Sequence, residues 1–277
     1  MLLRLLKSLK RGRTEVSAAL PVGPAQRMAR LQGAHKRAPT QAHLDILYRD
    51  LRIGEHSLTG LVERCLVESQ SRSPAAKAFH RPLASYFLAQ YFMHAMALDG
   101  ERAECGVFSG TSALLMCRAA QTLDPGYDGG SLHLIDSFEG LSPAIDEDRF
   151  VTPDGGAGVN TRKSVWKDAF GAPIEYAQTA LRDFAAVQFH RGWIPAVFAE
   201  LPESRWSFVH LDVDRYEPTH AGLEYFYPRL VEGGVIICDD YGAPLYPGAQ
   251  RAWDHYCDTH GVAYIVLDTG QSVILKT

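Results

Sequence analysis

Two short acidic stretches constrain the fold of this chain more than any other feature. Ser207–Asp214 reads SFVHLDVD and Gly233–Asp240 reads GGVIICDD, and each is an apolar run that ends in a pair of carboxylates. Runs this short, rich in Val, Ile and Phe, read as strands covered on both faces, as parallel strands are. Between them Thr219–Leu230 is helix-like and is closed by Gly233 and Gly234. Strand, helix and strand make a right-handed crossover between parallel neighbours, whose C-terminal ends reach the same edge of the sheet. Asp212, Asp214, Asp239 and Asp240 then share one crevice. Carboxylates that close repel, and one of them takes up a proton unless a cation intervenes. A hard divalent ion such as Mg²⁺, which combines one or two carboxylates with water and substrate oxygens, is the simplest partner. A helix cap or a solvated loop accounts for any one of these aspartates equally well, but poorly for all four at strand ends.

The α/β body begins at Arg102. Ala103–Ser112 runs from a strand through a glycine turn, Gly106 and Gly110, into a helix predicted over Ser112–Thr122. The spacing is G-x-x-x-G, not the G-x-G-x-x-G of a dinucleotide site. A second strand, Ser131–Ile135, ends at Asp136, where an acidic side chain is placed to accept from ribose hydroxyls. The Pro-, Gly- and Asp-rich stretch 142–159 has the length and composition of a lid. Ala177–Ala186 reads as a helix, and Val187–Trp193 as a third strand with its exit turn. There Gly192 and Trp193 either border an adenine ring or, for Trp193, belong to the core. After the acidic unit come a helix over Gly248–Thr259 and a terminal hairpin, Ala263–Leu267 with Ser272–Lys276. Five β-α units closed by an antiparallel hairpin predict a Rossmann-like class I methyltransferase sheet of seven mostly parallel strands. The chain is therefore α/β, with a helical N-terminal extension.

Three segments follow from this: a basic arm over 1–39, a helical cap over 40–100 and the α/β domain over 101–277. Residues 1–37 hold nine Lys/Arg and one Glu, whereas the rest holds 19 basic and 31 acidic residues. An acidic body argues against nucleic acid as a partner. Residues 1–13, with leucines at 2, 3, 5, 6 and 9 among Arg4, Lys7, Lys10 and Arg11, match either a frayed arm or a short amphipathic segment in weak contact with a membrane surface; the arm is the preferred reading. In the cap, helical spacing covers Leu44–Leu51, Leu58–Leu66 and Arg81–Asp99. His80 and His94 fall there, either as substrate ligands or, the simpler reading, as structural residues. Five scattered cysteines without a CxxC pair point to a reducing compartment, the cytoplasm, and away from zinc.

Several motifs in register then carry a resemblance: Glu104–Gly110 (ECGVFSG), Asp136–Leu141 (DSFEGL), Gly192-Trp193, Leu211–Glu217 (LDVDRYE), Tyr227–Leu230 (YPRL) and Gly233–Gly242 (GGVIICDDYG). Over about residues 100–277 the chain resembles the macrocin O-methyltransferase (TylF-type) family. The resemblance implies S-adenosylmethionine as methyl donor, Mg²⁺ or another divalent cation, a sugar or glycan hydroxyl as acceptor, and a homodimer. It implies that Glu104 and Gly106, with their neighbours Phe108, Ser109, Gly110 and Ser112, hold the methionine part of the donor. Asp136 would bind its ribose, and Ser137, Phe138, Gly192 and Trp193 would lie near the adenosine. Asp212, Asp239 and Asp240 would hold the cation, with Asp212 also facing the donor, and Asp214 would be the general base. The division of labour between Asp212 and Asp214 stays open. The chain departs from the family pattern in two places: Phe108-Ser109 replaces a Trp-Arg pair, and Pro218 replaces a Ser. Three other readings are carried forward: a catechol or phenol methyltransferase, a non-catalytic glycan-assembly or cofactor-binding protein, and, least favoured, a dehydrogenase.

Overall fold

A computed structural model describes residues 52–53, 56–73, 82–151, 157–159 and 170–277. The basic arm, the helix expected over Leu44–Leu51 and His80 lie outside the described residues. Helix α1 (Leu58–Arg72) begins where the Ser57 hydroxyl accepts from the N–H of Gly60 at 3.2 Å, and it buries Leu58, Leu61, Val62 and Cys65. Those are the positions that the helical spacing marks. Helix α2 (Pro82–Ala95) opens on a proline, whose missing N–H costs nothing at that position.

The body follows as β1 (Glu101–Cys105), α3 (Thr111–Leu123), β2 (Leu132–Asp136), α4 (Ile174–Ala180), β3 (Gln188–Arg191), β4 (Trp206–Leu211), α5 (Tyr216–Phe226), β5 (Leu230–Cys238), α6 (Pro247–His260), β6 (Ile265–Val266) and β7 (Ser272–Leu275). The seven strands form one sheet in the order β3-β2-β1-β4-β5-β7-β6. The first five are parallel; β7 runs antiparallel to β5, and β6 to β7. This is the predicted seven-stranded arrangement.

Alternate residues of each central strand feed separate cores on the two faces. Phe208, Val235 and Ile237 pack with Phe92, Leu114 and Leu134 on one side. Val209, Leu211 and Ile236 pack with Phe226, Trp253 and Tyr256 on the other. Both faces being covered is the reason the strands read as continuous apolar runs. No described helix is long and apolar enough to cross a membrane.

Three boundaries differ from expectation, for reasons the local sequence does not carry. The helix expected over Ala177–Ala186 is Ile174–Ala180, and it stops where Arg72 of α1 donates to the carbonyl of Ala180 at 2.9 Å. The helix expected from Thr219 starts at Tyr216, because the carboxylate of Asp148 accepts the Tyr216 N–H at 2.9 Å and so caps α5 from 68 residues upstream. The same Asp148 accepts from the N–H of Ile145 at 3.0 Å, and Arg251 of α6 donates to the carbonyls of Glu147 and Arg149. The stretch expected as a lid is therefore anchored over 145–149. Asp148 is 1% exposed, so Asp148→Ala leaves two donors without their acceptor and removes a charge from a helix N-terminus. A loss of about 1–3 kcal/mol is expected. It would be read as a lower urea midpoint at unchanged slope, with Asp148→Asn intermediate.

Candidate active site

The order of the sheet reverses between β1 and β4, and ligands of open α/β sheets bind at the carboxyl ends of strands at such a point. The strand exits there are knitted together by backbone bonds: Gly106 N–H to Ile135 C=O, Asp212 N–H to Cys105 C=O and Asp239 N–H to Leu211 C=O, each 2.9 Å. Three non-glycine residues with left-handed backbone follow these exits: Phe108 (φ 49°) after β1, Phe138 (φ 58°) after β2 and Asp214 (φ 59°) after β4. Such conformations persist where the surroundings over-determine them, and they gather at functional sites.

Asp212, Asp239 and Asp240 each turn a carboxylate oxygen to one point, all within 4.8 Å of one another. Asp212 is partly exposed. Desolvation, then the charges of Asp239 and Asp240, push its pKa well above the usual carboxylate range. That is the repulsion anticipated from sequence, and an all-oxygen donor set of this spacing suits a hard divalent cation. Asp214 is buried beside them, and its N–H donates to Asp240 Oδ2 at 3.0 Å.

The residues assigned to the methyl donor fall into two groups. Glu104 is fully buried, with Oε1 at 3.0 Å from His210 Nδ1 and Oε2 without a hydrogen-bond partner among the described residues. An orphaned buried carboxylate oxygen fits an ammonium group such as that of a bound amino acid. Trp193 is 39% exposed at the exit of β3, so it is not core, and an aromatic face is open beside Gly192. Other members of the set also make contacts within the chain. Asp136 accepts from the N–H groups of Val107 (2.7 Å), Phe108 (2.9 Å) and Phe138 (2.7 Å), which shapes the loops after β1 and β2. Phe138 packs in the core beside Leu134. The Ser137 hydroxyl spans the Glu139 N–H and the Gly140 carbonyl. Ser109 is buried, 3.3 Å from Thr111 through their hydroxyls, and Ser112 is partly exposed in the first turn of α3. Phe108 stacks edge-on to Phe170 with ring centres 6.2 Å apart. Gly106 and Gly110 sit hard against protein: a Cβ on Gly106 would lie 1.8 Å from the Asp212 carbonyl oxygen, and one on Gly110 3.1 Å from Ala177 Cα. His94 bonds the carbonyl of Gly233 through Nε2 at 3.0 Å, a structural role.

Three residues at the site had no role in the sequence reading. Gln271 is fully buried and donates to Asp239 Oδ1 at 2.8 Å. His210 faces the same oxygen across 3.7 Å, an ion-pair contact longer than a hydrogen bond. Burial acts to lower the His210 pKa, but the carboxylates of Asp239 and Glu104 outweigh it and hold it well above the usual value. Tyr246, before α6, is a half-buried phenol. Burial, then the charges of Asp214 and Asp240, push its pKa up, so it stays protonated at neutral pH. His210 lies within the apolar run 207–211, where an ionisable residue is itself a signal; Gln271 and Tyr246 have none in sequence.

Comparison with known proteins agrees with this layout. The profile of the macrocin-O-methyltransferase (TylF) family matches residues 89–271. Mycinamicin III 3''-O-methyltransferase of Micromonospora griseorubida is 29% identical over 175 residues, covering 60% of this chain and 63% of that protein. The 8-demethyl-8-(2,3-dimethoxy-alpha-L-rhamnosyl)-tetracenomycin-C 4'-O-methyltransferase of Streptomyces olivaceus is 28% identical over 159 residues, covering 55% of this chain and 58% of that protein. The chain thus spans less than two thirds of the length of these curated relatives. Among solved structures, the O-methyltransferase NovP superposes with a TM-score of 0.61 at 20% identity, over 79% of this chain and 98% of that one. The calicheamicin methyltransferase CalS11 superposes with a TM-score of 0.56 at 19% identity, over 91% and 93%. At these identities the structural likeness speaks for the fold alone.

Proposed function

The chain belongs to the macrocin O-methyltransferase family, and on that premise we propose that it moves a methyl group from S-adenosylmethionine to a hydroxyl of a sugar or glycosylated natural product. The observation that carries this reading is the convergence of Asp212, Asp239 and Asp240 within 4.8 Å at the switch point of the sheet. The relatives' names, one of them a rhamnosyl compound, support a sugar-bearing acceptor.

In this reading the three aspartates hold a divalent cation such as Mg²⁺. When bound, the ion supplies Lewis acidity that makes a sugar hydroxyl more acidic and orients it. Asp214 is the general base. Its strained backbone and its bond to Asp240 fix it beside the cluster, where it can take the hydroxyl proton as the oxygen attacks the methyl group. Glu104 Oε2 takes the ammonium of the methyl donor and Trp193 covers its base. Asp136, partly exposed, takes the ribose hydroxyls and also shapes the loops that enclose the donor. Residues 145–149 and Tyr246 wall the acceptor side.

Family membership leads us to expect a homodimer, and a sedimentation run would test it. We place the protein in the cytoplasm, where five free cysteines, all buried, stay reduced.

Calorimetric titration with S-adenosylmethionine and with NAD⁺, each with and without Mg²⁺, is the first test. Micromolar binding of the former alone is expected, followed by methyl transfer to diol-bearing sugars in preference to catechols. A folded protein that binds no S-adenosylmethionine would sink the proposal.

A further inference from the structure

A row of polar side chains crosses the sheet beneath the site. Glu104 of β1 and His210 of β4 are direct register partners, and Asp239 and Gln271 lie just past the end of β5 and just before β7. The contacts run in series: Glu104 Oε1 to His210 Nδ1 at 3.0 Å, His210 Nε2 to Asp239 Oδ1 at 3.7 Å, Asp239 Oδ1 to Gln271 Nε2 at 2.8 Å, and Gln271 Oε1 to the Thr269 hydroxyl at 3.0 Å. Glu104, His210 and Gln271 are each 1% exposed or less. A buried polar row inside an apolar sheet is poor value for stability, since well-packed apolar side chains of similar size do as well or better. Two of its members, however, belong to the two assigned ligand sites. Glu104 has a second oxygen without a hydrogen-bond partner among the described residues, and two steps along the row Asp239 joins the carboxylate cluster.

We propose that this row couples the two sites, with His210 as the positioning residue, so that occupancy at Glu104 tightens cation binding at Asp239 and the reverse. The inference rests on the function proposed above. The imidazole is a rigid ring, hydrogen-bonded to Glu104 through Nδ1 at 3.0 Å and facing Asp239 Oδ1 through Nε2 across 3.7 Å, so it cannot turn toward one carboxylate without turning from the other. An ammonium on Glu104 Oε2 holds Glu104, which holds the ring, whose Nε2 attracts Asp239 Oδ1 across 3.7 Å while Gln271 donates to that same oxygen. The cation then meets an Asp239 already ordered, and the ordering it need not impose appears as affinity. Such coupling is reciprocal and commonly amounts to roughly 5- to 150-fold.

The test is calorimetry of Mg²⁺ binding to the full chain, with and without saturating S-adenosylhomocysteine, which keeps the ammonium group. In the natural protein the Mg²⁺ Kd should tighten about tenfold or more when S-adenosylhomocysteine is present. In His210→Phe each ligand should still bind alone, with the coupling factor near one. Phe leaves Glu104 without its partner; should that variant not fold, His210→Asn keeps a donor for Glu104, does not reach Asp239, and should read the same. Coupling retained in a folded His210 variant, or absent from the natural protein, would overturn the inference while leaving the methyltransferase reading intact. Failure of the natural protein to bind S-adenosylhomocysteine and Mg²⁺ at all would overturn both.

Discussion

Asp239→Ala is expected to lower methyl transfer about a thousandfold, the rate equivalent of roughly 4 kcal/mol of lost transition-state stabilisation. Asp239 contributes one of three carboxylate oxygens that converge within 4.8 Å, and it is the one braced from behind by Gln271 and His210. Without it the cluster keeps two carboxylates, a poorer cage for an ion that must also polarise the acceptor. Binding of S-adenosylhomocysteine in the absence of Mg²⁺ should survive within a few-fold, because the donor is assigned to Glu104 and Trp193. Asp239→Asn separates chemistry from folding. Its amide oxygen can still accept from Gln271, so stability should be near that of the natural protein, while activity should fall nearly as far as in Asp239→Ala. The readouts are initial rates across a Mg²⁺ titration together with a urea midpoint for each variant. A variant that keeps more than about a tenth of the rate at any Mg²⁺ concentration would contradict the cation assignment, since removal of a ligand that supplies several kcal/mol cannot be so mild.

The parts of this molecule that were legible in its sequence are those governed by period and by strand-end chemistry. The apolar runs 207–211 and 235–238 announced strands buried on both faces, and the paired aspartates that end them do converge. What the sequence left open depends on contacts between distant segments. Nothing near Tyr216 tells that its helix is capped by Asp148, and nothing near Ala180 tells that its carbonyl meets Arg72. Asp136 shows the same limit at the site. Its place at the end of β2 marked it for a ligand, but gave no sign that its two oxygens also receive three backbone N–H groups. A carboxylate at a strand end and a carboxylate that builds the neighbouring loop look alike in one dimension. Gln271 lay in a turn with no signal of its own, and only the antiparallel pairing of β7 with β5 sets it against Asp239.

Gly106→Ala is the substitution expected to do most harm to the fold. Two penalties combine there. The backbone of Gly106 has φ +88°, a left-handed conformation that costs a Cβ-bearing residue about 1–2 kcal/mol. The added Cβ would then stand 1.8 Å from the carbonyl oxygen and 2.7 Å from the carbonyl carbon of Asp212. Those are backbone atoms at the end of β4, tied to β1 through the Asp212 N–H and the Cys105 carbonyl, so they cannot swing aside as a side-chain tip can. To admit the methyl group, β1 and β4 must part at the switch point, where the carboxylate cluster is assembled. A destabilisation above about 4 kcal/mol is expected, a size that few single substitutions reach. Gly261→Ala is the control that isolates the steric part. Gly261 also has positive φ, +65°, but an added Cβ there meets nothing within 4 Å, so the loss should stay near 1 kcal/mol. Urea unfolding followed by circular dichroism compares the two. If Gly106→Ala were no worse than Gly261→Ala, the close seat of the β1 exit on Asp212 would be wrong. The cation cluster would then have to be rebuilt with it, because Asp212 is held in place by that same contact.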